Sequence, residues 1–421
     1  MRSERLRHIA DIRVSNVDKK SVEGQVPVRL CNYTDVYYNE RITAALEFME
    51  STATPEQCIA FQLAPGDVLL TKDSETPDDI GVTAVVTEAV PRLLCGYHLA
   101  MIRPRLGVDG RYLRFALTSS PARSDLGSRA NGITRFGLRS SVIGDVPVPL
   151  PTHDRQRAIA DHLDRETARI DALIEKKRQQ IALLDESRIA IAHDALVGAT
   201  VRGERADSGH RWLGSMPVGW RMVRIGALFD VQLGRMLNQE RASGPDARPY
   251  IRNVNVRWGE VDLSDVAEMD FPPDARRQYR LEPGDLLVNE GGAGIGRAAI
   301  WRGQVPEMYF QKSVHRVRPR TELPVGWLLE WLRVAVDRSL FAVEGNLATI
   351  PHVPAEALRA HRVPCPPPAL AIRLLADVDS KVAEVSRLTA GVARQVDLLV
   401  EKRQALITAT VTGQISIPGA A

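Results

Sequence analysis

Pro65-Gly66-Asp67-Val68-Leu69-Leu70 returns later in the chain as Pro283-Gly284-Asp285-Leu286-Leu287-Val288, and its surroundings return with it in the same order. Ile80-Gly81 is answered by Ile295-Gly296, Arg103-Pro104 by Arg318-Pro319, and Val146-Pro147-Val148-Pro149 by Val363-Pro364-Cys365-Pro366. The series closes with Gln180 to Arg188 against Gln395 to Arg403. The copies lie about 215 residues apart, far beyond the roughly 20 to 50 of a solenoid repeat, so each is a domain large enough for its own core. Two similar units in one chain point to a ligand with two similar halves.

Each Pro-Gly-Asp is a turn that launches a strand, because proline presets one turn dihedral and glycine accepts positive φ. In the first copy Val26 to Val36, Gly66 to Thr71, Gly81 to Thr87 and Leu99 to Arg103 read as short aliphatic strands bounded by Gly, Pro or Asp. Tyr112 to Leu117 and Trp327 to Val334 read as helices, which makes each copy an α/β domain. Val146-Pro-Val-Pro-Leu-Pro151 is extended by its prolines, and Thr152 or Asp154 can cap the next element.

From Asp154 to about Val197 no proline or glycine interrupts the chain. Leu163, Ile170, Leu184 and Ile191 recur at multiples of seven, with Ile174 and Ile181 on a neighbouring stripe. In the second copy Val378, Val385, Val392, Leu399 and Leu406 form a heptad row beside Leu375, Val382 and Val396, with Gly391 its weak point. Such seams predict coiled-coil packing, with Glu175, Lys176, Lys177 and Arg178 on the outer face. The two helices are expected to pair antiparallel and to hold the α/β domains apart. Each helix folding back on its own domain is the alternative. Between the copies Gly203 to Gly219 forms a charged, Gly-rich hinge, with Trp212 and Trp220 as anchors at the mouth of the second domain.

Composition sets the outer limits. A chain of 421 residues, 44% hydrophobic and 25% charged, is ordinary for a globular protein and fits two domains plus connectors. No apolar run approaches the roughly 18 residues of a membrane span, and Met1-Arg2-Ser3-Glu4-Arg5 lacks a signal-peptide core, so a cytoplasmic protein is expected. Cys31, Cys58, Cys95 and Cys365 lie far apart without C-x-x-C spacing, and the histidines are scattered, so neither disulfides nor a metal are expected. The formal charge is only +3, but between Arg103 and Arg139 eight arginines face Asp109 and Asp125, a local balance of +6. Arginine grips phosphate bidentately and reads guanine edges.

Catalytic motifs do not survive comparison of the copies. Gly291-Gly-Ala-Gly-Ile-Gly296 lacks both a dinucleotide fingerprint and a subsequent G-K-[ST], and its counterpart at Pro77 to Gly81 keeps only the last glycine. Lys72 after Pro65-Gly66-Asp67 resembles part of a nuclease site, but the second copy has Asn289 and Glu290 there. The chain reads as one that binds and does not catalyse. A self-sufficient DNA-modifying enzyme and a protein scaffold without DNA readout are the alternatives.

Two α/β domains each ending in a heptad helix, the doubled Pro-Gly-Asp strand start, and Gly214-Ser-Met-Pro-Val-Gly-Trp220 together resemble the specificity subunit of type I restriction-modification systems. Pro149-Leu150-Pro151 followed by Arg155-Gln156-Arg157-Ala158-Ile159-Ala160 is similar to that family's proline stretch leading into E-Q-x-x-I-A, with Arg155 where glutamate is usual. The second copy, Pro366-Pro-Pro-Ala-Leu-Ala-Ile372, has lost the Glu-Gln, and the N-terminus lacks a Pro-x-x-Trp entry.

The resemblance implies an α/β fold of two tandem pseudo-repeated target recognition domains separated by two long antiparallel helices forming a coiled coil. Its parts are a first recognition domain over 1–152, a spacer helix over 153–200, a linker over 201–219, a second recognition domain over 220–367, a second spacer helix over 368–415 and a tail. Each domain would read one half of an asymmetric bipartite site in double-stranded DNA. The helices would set the spacer and dock two modification (methyltransferase) subunits, which supply S-adenosylmethionine, so no cofactor is expected in this chain. Motor-nuclease restriction subunits join such complexes.

Phosphate contacts position a DNA reader while a few side chains read base edges. In the first copy Asn131, Thr134, Arg135 and Phe136 are the candidate readers, with Lys72 and Arg129 on the backbone. In the second, Asn346 and Thr349 occupy the equivalent loop, Arg297 and Lys312 suit phosphate, and Asn255 and Arg257 are further candidates. Deleting one heptad from the helix that begins near Asp154 is expected to alter the spacer and neither half-site.

Overall fold

The computed structural model describes residues 2–237, 242, 244–343 and 352–417. The chain forms two compact units, Met1–Arg178 with Ala393–Ala421, and Gln179–Val392. The division falls inside the long helices His153–Leu196 and Pro368–Val411, each 44 residues. Each unit therefore holds the root of one long helix and the far end of the other.

In the first unit a five-stranded sheet runs Ala10–Val14, Leu99–Pro104, Val68–Thr71, Thr83–Val86, Arg41–Ile42, antiparallel except at its last pair. Successive side chains of a strand point to opposite faces. Val68, Leu70, Ala100 and Ile102 accordingly join the core that contains helix Gly110–Thr118. Leu69 and Met101 enter a separate core with the three-stranded sheet Met49–Ala53, Val26–Cys31, Leu93–Cys95. Burial on both faces explains why Val68-Leu69-Leu70 is a continuous apolar run with no polar alternation.

The second unit repeats this plan. Its four-stranded sheet runs Phe229–Leu233, Val314–Pro319, Leu286–Asn289, Ala298–Ile300. Leu286 and Val288 share a core with helix Val325–Asp337, while Leu287 joins Ile251 and Phe310 in another. Its three-stranded sheet, Ala267–Asp270, Ala247–Ile251, Tyr309–Phe310, again has one antiparallel and one parallel pairing. Where the first unit adds Arg41–Ile42 beside Thr83–Val86, the second has a small ribbon of Val256–Arg257 and Glu260–Val261.

The repeated motif makes one device in both copies. Gly66 and Gly284 take φ of 96° and 97°, which a side chain would strain. The aspartate next in the chain is 2% exposed in each case. Asp67 accepts Nε of Arg103 at 2.8 Å and Nη2 at 2.6 Å, and Asp285 accepts the same two atoms of Arg318 at 2.5 and 2.9 Å. Each aspartate also caps its own turn, taking the amide of Ala64 or Glu282 at 2.8 Å. A bidentate, charge-assisted pair thus locks the turn to the Arg-Pro strand end.

The heptad seams are present. Leu163, Ile170 and Ile174 are buried on the first long helix, and Val378, Val385 and Val392 on the second. In the first unit Asp171 accepts Nε of Arg403 at 2.8 Å, and Ile407 and Val411 join Ile159, Ala160 and Leu163 in one core. In the second, Arg188 donates to Ser386 Oγ at 2.7 Å, and Ala192, Ala195 and Leu196 share a core with Ala371, Leu374 and Val378. Within each unit the two helices therefore run antiparallel.

Gln156, 1% exposed, holds the first helix start by accepting the Asp109 amide at 2.9 Å and donating to Gly107 and Pro151 carbonyls. The second helix starts at Pro368, where a missing N–H costs nothing. Trp212 lies 6.0 Å from Trp331 and Trp220 lies 6.1 Å from Trp327, ring centre to ring centre, as the anchor reading expects. One expected element is corrected: the strand over Val26 to Val36 ends at Cys31, and Tyr33–Tyr38 is a helix. Among the described residues no helix is long and apolar enough to cross a membrane.

Candidate nucleic-acid interface

The loop singled out in the first copy is a short hairpin. Asn131 and Gly137 exchange both backbone hydrogen bonds, at 3.2 and 2.9 Å, and Phe136–Gly137 pairs with Asp73–Ser74. Leu138 N then bonds the Lys72 carbonyl at 2.8 Å, so the hairpin is rooted on the continuation of the Pro-Gly-Asp strand. A Cβ on Gly132 would come within 1.9 Å of the Arg135 carbonyl oxygen, so only glycine closes this tip. Asn131, Thr134 and Arg135 are exposed, while Phe136 is half-buried and packs on the unit's core.

An aromatic shelf lies beside the hairpin, which sequence reasoning missed. Tyr33 and Tyr37 stack at 5.4 Å, Tyr38 meets Tyr37 edge-on at 5.0 Å, and Tyr38 is exposed. Tyr37 donates its hydroxyl to both oxygens of Asp79, and that bond raises its pKa. Partial burial and then Asp79 raise the Tyr33 hydroxyl, opposed by a hydrogen bond with Ser74 and by the charge of Arg135. The only sequence signal was Tyr33, Tyr37 and Tyr38 at helical spacing.

Two expected backbone contacts are spent inside the first unit. Lys72 places Nζ 2.7 Å from Asp73 Oδ2 and 4.8 Å from the centre of the Tyr97 ring, and its side chain is 12% exposed. His98 Nδ1 shares the same carboxylate oxygen at 2.8 Å. Burial alone would raise Asp73, but the bonds from Lys72 and His98 outweigh it and hold the carboxyl below its ordinary value. Arg129 pairs with Asp125 and donates to the Val142 carbonyl. Both side chains are paired within the unit.

In the second unit Asn255 is 2% exposed, and its whole amide is used: Oδ1 accepts from Arg252 N, while Nδ2 donates to the Asp262 and Asp265 carbonyls. In this structure it shapes a loop, and its amide is already occupied within the protein. Arg257 is exposed and pairs with Asp262 at 2.6 Å, a surface pair worth little. Arg297 and Lys312 are exposed. Burial raises the Glu290 carboxyl, with Lys312 and His352 pulling the other way. Asn346 and Thr349 lie outside the described residues.

No family profile matches the chain. It is 21% identical over 229 residues to the type I restriction enzyme EcoKI specificity subunit of Escherichia coli K12, covering 54% of this chain and 47% of that protein. To the MjaIX specificity subunit of Methanocaldococcus jannaschii it is 24% identical over 278 residues, 65% of this chain and 60% of the relative. The chain thus spans about half the length of the curated relatives it matches first. A chain from a solved type I restriction-modification system superposes with a TM-score of 0.68 at 18% identity, covering 98% of both, and shares the fold.

Proposed function

We propose, on the premise that the chain is akin to type I restriction specificity subunits, that it is the non-catalytic, sequence-specific DNA-binding subunit of a type I restriction-modification complex. Each unit reads one half of a bipartite target, and the long helices fix the distance between the halves. The observation that carries this reading is two units of one topology, locked by the same aspartate and arginine, whose exposed loops differ. One scaffold presenting two unlike surfaces gives an asymmetric target and not a palindrome.

Adenine methylation belongs to partner subunits that carry S-adenosylmethionine, and motor-nuclease subunits join the same assembly. The long helices dock two copies of the modification subunit. In support, Leu173 and Leu388 are exposed at equivalent positions of the repeat, and so are Leu183 and Leu398. Each unit holds one leucine from each long helix, Leu173 with Leu398 and Leu183 with Leu388. Exposed apolar side chains that recur with the duplication fit a partner that binds once per unit.

Mapping methylated adenines in cells expressing the chain with its modification partner tests this function. The expected result is two different short blocks at constant spacing. Transfer of a methyl label to DNA by the pure chain alone would overturn the non-catalytic reading.

A further inference from the structure

Ile133 occupies the apex of the 131–137 hairpin and is 96% exposed. A β-branched side chain left wholly in water at the point of a protrusion contributes no packing to its own fold. The hairpin holds it there firmly: both bonds of the Asn131–Gly137 bridge close the neck, and Phe136–Gly137 extends the pairing onto Asp73–Ser74. Gly132, at φ 155°, removes the side chain that would block the tip. The apex is flanked by the exposed hydroxyl of Thr134 and guanidinium of Arg135. Arg135 lies near Tyr33, which stacks on Tyr37, and Tyr37 in turn meets the 77% exposed Tyr38.

An exposed apolar apex followed in the chain by a hydroxyl and a guanidinium, on a two-stranded ribbon, matches the DNA major groove. That groove admits such a ribbon and offers one apolar feature, the 5-methyl of thymine, among its donors and acceptors. A groove of protein would also accept an isoleucine, but it would not account for the exposed Asn131, Thr134 and Arg135 in the same hairpin. We propose that Ile133 reads a thymine: the hairpin enters the major groove of the first half-site, and the Ile133 side chain packs on a thymine methyl while Arg135 and Asn131 bond neighbouring base edges. This rests on the DNA-reading function above and adds the residue and the base feature it recognises.

The test uses the full chain assembled with its modification partner and the target selected from random duplexes. Each thymine of the first half-site is replaced in turn by uracil, which removes only the methyl. One replacement is expected to weaken binding roughly three- to tenfold. Ile133→Ala should show the same loss on the unmodified target and no further loss on that uracil duplex, with its unfolding midpoint unchanged. Ile133→Val should keep most of the affinity. The proposal is overturned if Ile133→Ala binds the target as the parent does, if it loses affinity equally on every duplex, or if the half-site holds no thymine whose methyl matters. It is also overturned if the substitution weakens assembly with the partner and leaves DNA affinity intact. A parent complex with no sequence preference at all would instead remove the DNA-reading function itself.

Discussion

The residue after the Pro-Gly-Asp strand is Lys72 in the first unit and Glu290 in the second, a reversal of charge at one position of one framework. On either side of that position the units agree: Asp67 with Arg103, and Asp285 with Arg318, make the same pair of a buried aspartate with a partly exposed arginine. Duplication has kept the residues that close the turn and changed those that lie beyond it. The fold is set by what the units share, and on the proposed function the two half-sites would be set by where they differ.

The comparison can be broken most severely at the helices. Removing seven residues from both long helices, in register, should shorten the span by roughly 10 Å, about three base pairs, and abolish binding to the original target while a target with a shorter gap is bound. Selection of the new target reads the result, and an unchanged gap would sink the spacer role. The antiparallel pairing within each unit revises the single-helix deletion expected from the sequence: removal from one helix alone would shift every seam pair beyond the cut by one heptad, so the deletion must be matched in both helices.

Next in size is the shared lock. Asp67→Ala and Asp285→Ala each remove a buried acceptor of a partly exposed arginine and of a turn amide, at a cost of roughly 2 kcal/mol each in denaturant unfolding. Similar losses at the two sites would confirm that the copies use one device. A silent substitution at either would show that they do not.

Arg135→Ala should weaken the preferred target by about 1 to 3 kcal/mol and relax one position of the first half-site only, read by competition among single-base variants. The second half-site is the internal control.

The units should also answer acid in opposite ways. In the first, burial alone would raise Glu40, but Arg114 and Arg403 outweigh it and lower its pKa. Its stabilisation is complete above the unfolded value of about 4.3 and is lost as pH falls through the lower folded value. In the second, burial raises Glu330 despite Arg333. Stability rises there as pH falls from neutral through the raised value toward the unfolded one, because only the folded state takes up the proton. Glu330→Gln should therefore stabilise the chain near pH 7, and Glu40→Gln should destabilise it there, as measured by unfolding across that range.

The smallest effect separates two lysines. Lys312→Ala should lower the slope of binding against salt by about one, whereas Lys72→Ala should leave the slope unchanged, since Asp73 already neutralises that charge.

The fold was legible because repeated turns and heptads are written in local spacing. The helix at Tyr33–Tyr38 was missed although its signal was present: Asn32 and Asp35 form a reciprocal cap that ends the strand. The candidate site was less legible, because availability depends on neighbours far away in sequence. Nothing near Lys72 announced that Tyr97 would fold beneath it and His98 onto its partner Asp73. Nor did the residues beside Asn255 announce that the carbonyls of Asp262 and Asp265 would take both its amide hydrogens. Ile133 was passed over for the opposite reason, since an isoleucine in a sequence reads as core.

The most direct test of two unlike readers at a fixed distance is selection of random duplexes by the complex of this chain with its modification partner. Two different conserved blocks with an invariant gap are predicted. A single block, two identical blocks, or blocks at variable separation would contradict the account.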